Sequence, residues 1–109
     1  MKQLAGLILT LTMATAAEGR EWYVGGTLHG ATAAEWRAAT SRNRLATSAD
    51  FAISSEVVQM RFQRLGMAAF RADSRNLMVC IDTAVDDPDL NHFEVPSVAV
   101  ACLVLLDMF

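Results

Sequence analysis

The two cysteines, Cys80 and Cys102, are the feature of this 109-residue sequence that most restricts how it can fold. Each occupies an apolar position of a predicted helix: Cys80 lies in a stripe with Leu77 and Ile81, and Cys102 lies beside Leu105. A disulfide between them would join the last two helices of the chain. Such a bond contributes about 3 kcal/mol to stability by restricting the unfolded chain.

The N-terminus has the three parts of a secretory signal peptide. Lys2 provides a short positive region, residues 4–13 form an apolar run, and small residues follow it at 14–16. We therefore predict that residues 1–16 are a signal peptide and that the protein is periplasmic or secreted, where cysteines oxidise. Glu18 follows too soon for an uncleaved span, so no membrane anchor is expected after cleavage. If this prediction is wrong, the alternative is two reduced thiols in the core.

The charge of the chain argues against some classes of partner. Nine basic residues, all arginine except Lys2, stand against twelve acidic residues. An acidic chain does not bind nucleic acid or an anionic membrane surface non-specifically. We therefore expect no nucleic-acid partner.

Capping and glycine signals divide the chain that would remain after export. Residues 17–31 contain scattered glycines and lack periodicity, which predicts an irregular N-terminal arm. Thr32 and Glu35 have the spacing of a capping box, which predicts that a helix begins there. Residues 32–109 are then predicted to form one small all-α domain of four to five short helices, stapled by the disulfide.

The apolar stripes beyond the capping box predict where the later helices lie. Ser41 is a candidate N-cap, and the polar pair Asp73 and Ser74 predicts a break between two helices. The last helix, with Pro96 in its first turn, is apolar on nearly all sides and is expected to be buried in protein. The loop at residues 86–94 is a polar connection.

Four residues are candidates for an interaction with a partner. Arg61, Arg64 and Arg71 are predicted to share one helix face, which would either bind an anionic group or form an ordinary solvated surface. His29 lies in a glycine-containing loop, but this loop lacks the spacing and the lysine of a phosphate-binding loop. No serine or cysteine motif of a nucleophilic enzyme is present in the sequence, so enzymatic activity is not expected.

The acidic loop offers oxygen ligands but departs from a calcium-binding loop. Asp87 opens a pattern in which position 6 should be glycine and is His92, and position 12 should be glutamate and is Val98. A looser cation site and a solvated acidic turn both remain open. We predict no cofactor and no metal.

Parts of the sequence resemble known groups of proteins. The segments YVGGTLHGATAAEW, NRLATSADF, CID and ACLVL resemble a group of small, exported, uncharacterised bacterial helical proteins. A more distant resemblance is to the HdeA-like periplasmic acid-stress chaperones, which have a tryptophan before their first cysteine and a second cysteine in a later helix. Trp36 would match that tryptophan, and Ser48 stands where that family has its first cysteine.

Three hypotheses about function follow from these observations. The first is a small exported, non-enzymatic helical protein that acts by binding a protein or peptide. The second, implied by the resemblance, is an acid-stress periplasmic chaperone that opens when its carboxylates protonate. The third is a small metal-dependent or hydrolytic enzyme that uses His29, His92 and the acidic loop.

Overall fold

The computed structural model describes residues 21–109, so the predicted signal peptide lies outside the described residues. The described part contains five α-helices, one short 3-10 turn and no strand, which confirms the predicted all-α fold. The helices are α1 (Ala33–Ala38), α2 (Ser41–Ile53), α3 (Glu56–Leu65), α4 (Met67–Ala84) and α5 (Val95–Leu105), and the 3-10 turn is Pro88–Leu90.

The capping box at the start of α1 is confirmed. The Thr32 hydroxyl accepts a hydrogen bond from the Glu35 amide at 3.3 Å, and the Thr32 amide donates to the Glu35 carboxylate at 2.9 Å. The backbone bond and then the hydroxyl bond from Thr32 lower the pKa of Glu35. The stabilisation from this charged contact is present above the ordinary glutamate pKa and is lost as the pH falls through the lowered value.

Helices α2 and α3 also begin at side-chain N-caps, and the N-cap of α2 lies one residue before the predicted position. Thr40, and not the predicted Ser41, caps α2, because its hydroxyl accepts from the Asn43 amide. Ser55 caps α3 by accepting from the Val58 amide. The Ser55 hydroxyl also donates a hydrogen bond to the backbone carbonyl of Met108, so this cap connects α3 to the C-terminal residues.

The predicted helix break at Asp73 and Ser74 is wrong. Both residues are buried within α4, which runs without interruption from Met67 to Ala84. The Ser74 hydroxyl donates a hydrogen bond to the carbonyl of Phe70 at 2.8 Å. Asp73 forms an ion pair with Arg61 of α3. The sequence pattern of a helix boundary was therefore produced by two polar residues, Asp73 and Ser74, that have hydrogen-bond partners inside the fold.

The break between α3 and α4 is made by Gly66. Its backbone angles, φ 85° and ψ −167°, lie in a region that only glycine adopts readily. Its amide closes α3 by donating to the carbonyl of Phe62 at 2.8 Å. A single glycine thus separates the helix of Arg61 and Arg64 from the helix of Arg71.

Helix α4 is the centre of the domain and packs against α2, α3 and α5. Its fully buried apolar residues are Leu77 and Ile81, which lie one turn apart on the face directed to the core. The largest other fully buried side chains come from every remaining helix and the loop after α4: Trp36, Val58, Val85, Val95, Thr47 and Cys102.

Cys80 and Cys102 lie at disulfide distance, with their Cα atoms 5.9 Å apart, as predicted. The bond joins α4 to α5 across 22 positions of sequence. The disulfide therefore brings the cysteine-bearing faces of α4 and α5 together.

The expectation that α5 is buried on every side is wrong. One face is buried, but Val100, Val104 and Leu105 on the opposite face are more than half exposed. Within residues 21–109, α5 packs against α4 and α2 on its buried face. Among residues 21–109, no helix is long and apolar enough to cross a membrane.

The conformation of Gly66 makes a prediction about stability. Gly66→Ala should lower the free energy of unfolding by about 1–3 kcal/mol, because alanine is strained at these backbone angles. No atom lies within 4 Å of the added Cβ, so the effect would come from the backbone alone. Urea denaturation followed by circular dichroism measures it.

Gly30→Ala is the matched control for that experiment. Gly30 also has open space around an added Cβ, but it has no positive φ angle. Its substitution should leave the urea midpoint unchanged or slightly raised. Equal losses in the two variants would contradict the assignment of strain to Gly66.

The disulfide makes a second prediction. Replacing both Cys80 and Cys102 by serine should lower the free energy of unfolding by about 3 kcal/mol, as expected for a loop of this length. Urea midpoints measured with and without dithiothreitol provide the test. Reductant should shift the midpoint of the parent protein and leave that of the double variant unchanged; a parent midpoint insensitive to reductant would contradict the prediction.

Candidate functional site

An open groove of about 420 Å³ lies between residues 21–31 of the N-terminal arm, the first turns of α2 and the middle of α4. We call it the Trp22 groove. The arm contributes one aromatic side chain, and each helix contributes residues spaced by about one or two turns, so that they share a face. The lining residues are Trp22 from the arm, Ser41, Arg42 and Leu45 from α2, and Arg71, Arg75 and Met78 from α4.

Trp22 is held in place by a cluster of aromatic rings. Its ring centroid lies 5.2 Å from that of Phe70 and 5.4 Å from that of Tyr23, which it meets edge-on. Phe70 is itself stacked on Phe62 at 5.0 Å, with the two rings nearly parallel. The wall of the groove therefore rests on side chains of both α3 and α4.

The arm reaches this position because it lies directly against α2. A Cβ atom at Gly26 would stand 2.6 Å from the Thr47 backbone nitrogen, so only glycine permits this approach. The Thr47 hydroxyl accepts from the Leu28 amide, and the Asn43 side chain accepts from the Thr27 amide at 2.9 Å. The glycine-containing loop thus fastens the arm to the domain.

His29 belongs to the same attachment. Its Nε2 atom lies 2.6 Å from a carboxylate oxygen of Asp50, and its ring meets Phe51 edge-on. Both side chains of the His29–Asp50 pair are about half exposed. A histidine that activates a nucleophile needs a hydroxyl or thiol within hydrogen-bond reach. Among residues 21–109, the hydrogen bond of the His29 ring is to Asp50.

The groove brings together two arginines, Arg71 and Arg75, that form no ion pair within residues 21–109. Both arginines are exposed. The guanidinium carbon of Arg71 lies 5.6 Å from the centroid of the Trp22 ring, a cation–π contact. Ser41 places the first turn of α2, the positive end of a helix dipole, at the same groove.

The arginines predicted from the sequence have different surroundings. The helix face that Arg61, Arg64 and Arg71 were predicted to share does not exist, because Gly66 places the first two on α3 and the third on α4. Arg61 pairs with Asp73 at 3.0 Å, and that carboxylate is only 5% exposed. Arg64 lies in the last turn of α3 and is exposed, while Arg71 lines the Trp22 groove.

The acidic loop folds on itself. The Asp87 carboxylate accepts from the Asp89 amide at 2.9 Å and so caps the 3-10 turn. His92 is exposed and lies edge-on to Phe93. In the described part of the chain, no three histidine, cysteine or acidic side chains come close enough to hold a metal ion together.

Sequence reasoning missed most of the groove. Arg71, Arg75 and Met78 have the i, i+4 and i+7 spacing of one helix face. The pattern was obscured because a helix boundary was placed at Asp73 and Ser74, in the middle of it. Nothing in the sequence indicated that Trp22 would meet this face.

Comparison with other proteins adds no family to this description. No protein-family model, curated protein or solved structure matches the chain.

The groove makes a prediction that separates structural arginines from groove arginines. Arg61→Gln should lower the free energy of unfolding by about 1–3 kcal/mol, because it removes the charged partner of buried Asp73. Arg71→Gln and Arg75→Gln should each change it by no more than about 0.5 kcal/mol. Urea denaturation of the three variants provides the comparison. A larger loss for Arg71 or Arg75 than for Arg61 would assign the groove charges to folding.

Proposed function

We propose that this protein is a small exported, non-enzymatic helical protein that binds a protein or peptide in the Trp22 groove. The observation that carries the proposal is the pairing of an aromatic wall with two exposed arginines, Arg71 and Arg75, that have no acidic partner among residues 21–109. Binding sites commonly combine an apolar surface with a few oriented polar groups.

The chemistry of the lining residues favours binding over catalysis. Arginine stays protonated in proteins, so Arg71 and Arg75 can attract and orient an anion but cannot relay a proton. Trp22, Leu45 and Met78 supply contact area and no acid, base or reactive nucleophile. A set of this kind recognises a ligand without transforming it.

Export is supported by the disulfide and by the N-terminal sequence. A bond between Cys80 and Cys102 is compatible with an oxidising compartment outside the cytoplasm. Residues 1–16 have the pattern of a signal peptide. We therefore place the protein in the periplasm or the extracellular space.

The acid-stress chaperone is the second candidate, and the exposed face of α5 favours it. Val100, Val104 and Leu105 form an exposed apolar surface on α5, where an unfolded client could bind. A chaperone of this type would engage clients through α5 after acid loosens the domain. The binding module would instead use the Trp22 groove at neutral pH.

Site-specific photo-cross-linking tests the proposed function. A photoreactive phenylalanine analogue at Leu45, within the groove, should form a discrete adduct with a polypeptide when the full chain is produced in its native host. The adduct should be lost when Trp22→Ala is added, because the aromatic wall is removed. Circular dichroism confirms that the doubly substituted protein is folded.

Two further cross-linker positions serve as controls. Gln63 is exposed on α3 and lies outside the Trp22 groove, so it should give no adduct. Val104 on α5 reports on the chaperone hypothesis. Adducts formed at Val104 and only in acid, with none at Leu45, would reject the groove as the binding site and favour the chaperone.

A further inference from the structure

We infer that the ligand of the Trp22 groove is an acidic peptide segment whose carboxylates pair with Arg71 and Arg75 while a neighbouring apolar side chain packs on Trp22. This inference rests on the proposed function and specifies the chemistry of the partner. It is based on the spacing of Arg71 and Arg75, the contact of Arg71 with Trp22, the apolar lining of the groove and the net charge of the chain.

The spacing of Arg71 and Arg75 would allow one carboxylate to pair with both side chains. They are four residues apart on α4, so their side chains leave the helix close together on one face. Like charges at this spacing destabilise a helix, and no carboxylate among residues 21–109 forms an ion pair with either of them. A carboxylate bound between them would remove the repulsion and gain two charged hydrogen bonds.

The contact between Arg71 and Trp22 prepares that guanidinium for binding. A cation–π contact engages the charge of a guanidinium and does not use its N–H groups as hydrogen-bond donors. The 5.6 Å distance to the ring centroid therefore restricts Arg71 without occupying its donors. Because these donors match the geometry of a carboxylate, the ligand would lose little entropy in forming a paired contact.

The apolar lining residues of the groove favour a polypeptide over a simple ion as the ligand. Leu45 and Met78 line it together with Trp22, and its volume of about 420 Å³ has room for a large side chain beside the paired carboxylates. An inorganic anion would leave this apolar surface exposed. An acidic residue next to an aromatic or aliphatic residue would satisfy both parts of the groove.

The charge of the whole protein argues against a nucleic acid as the ligand. The chain carries a formal net charge of −3, so a long polyanion would be repelled by most of its surface. A short acidic segment would meet the positive charge only where it is concentrated. Nucleic acid therefore becomes one arm of the test.

Peptide titration of the purified full chain tests the inference. The probe is a fluorescently labelled hexapeptide with three carboxylates flanking one phenylalanine, and its control has each carboxylate replaced by a carboxamide. Fluorescence anisotropy should show saturable binding of the acidic peptide that weakens as salt is raised. The carboxamide peptide should bind at least tenfold more weakly, because it loses the charged hydrogen bonds.

Matched arginine variants locate the binding. Replacing both Arg71 and Arg75 by glutamine should weaken binding of the acidic peptide at least tenfold. Arg64→Gln removes an exposed arginine of α3 outside the groove and should leave the affinity unchanged. An equal loss in Arg64→Gln would mean that the peptide senses only overall charge, and would overturn the inference.

The remaining outcomes separate this inference from the proposed function. Equal binding of the acidic and carboxamide peptides, or tighter binding of a short single-stranded DNA or of inorganic phosphate, would overturn the acidic peptide as ligand. Groove adducts that persist at Leu45 while no acidic peptide binds up to about 1 mM would have the same result and leave the binding module intact. Absence of both adducts and peptide binding would reject the two proposals together.

Discussion

The arrangement of α1, α2 and α4 depends on the hydrogen bonds accepted by the carboxylate of Asp82. One of its oxygens accepts from the Trp36 indole nitrogen of α1 at 2.7 Å and from Arg44 of α2 at 3.0 Å, while Asp82 itself belongs to α4. Removing this acceptor would leave an indole N–H and a partly buried guanidinium without their partner, which costs about 1–3 kcal/mol for each group. Cys80, two residues earlier in α4, adds the covalent bond to α5. The C-terminal half of α4 is therefore the anchor of the domain.

The N-terminal half of α4 has a different role, which this anchor makes possible. Since α1, α2 and α5 are all held at the other end, the outward face that contains Arg71 and Arg75 needs no further partner for folding. Phe70 supports Trp22 on the same stretch of helix. The close approach at Gly26 brings the arm across α2, and the groove forms where arm and helix face meet.

Arginines of the same chemistry serve different purposes because their neighbours differ. Arg61 neutralises Asp73, a carboxylate that would otherwise be buried without a partner, so we assign it to stability. Arg71 and Arg75 have no such partner among residues 21–109, and their proposed role is to bind a ligand. A local concentration of positive charge can thus exist on a chain whose net charge is negative. Net charge constrains the class of partner, and the position of each charge constrains the site.

The sequence by itself determined the all-α fold, the capping box of Thr32 and Glu35, and the facing of the two cysteines. These features depend on contacts within one or two helical turns, or on a stripe that repeats with the period of a helix. Only the tertiary structure decided that Gly66 separates α3 from α4, that one face of α5 stays exposed, and that Trp22 meets Arg71. Each of these depends on which surfaces other segments leave uncovered, and residues distant in sequence determine that together.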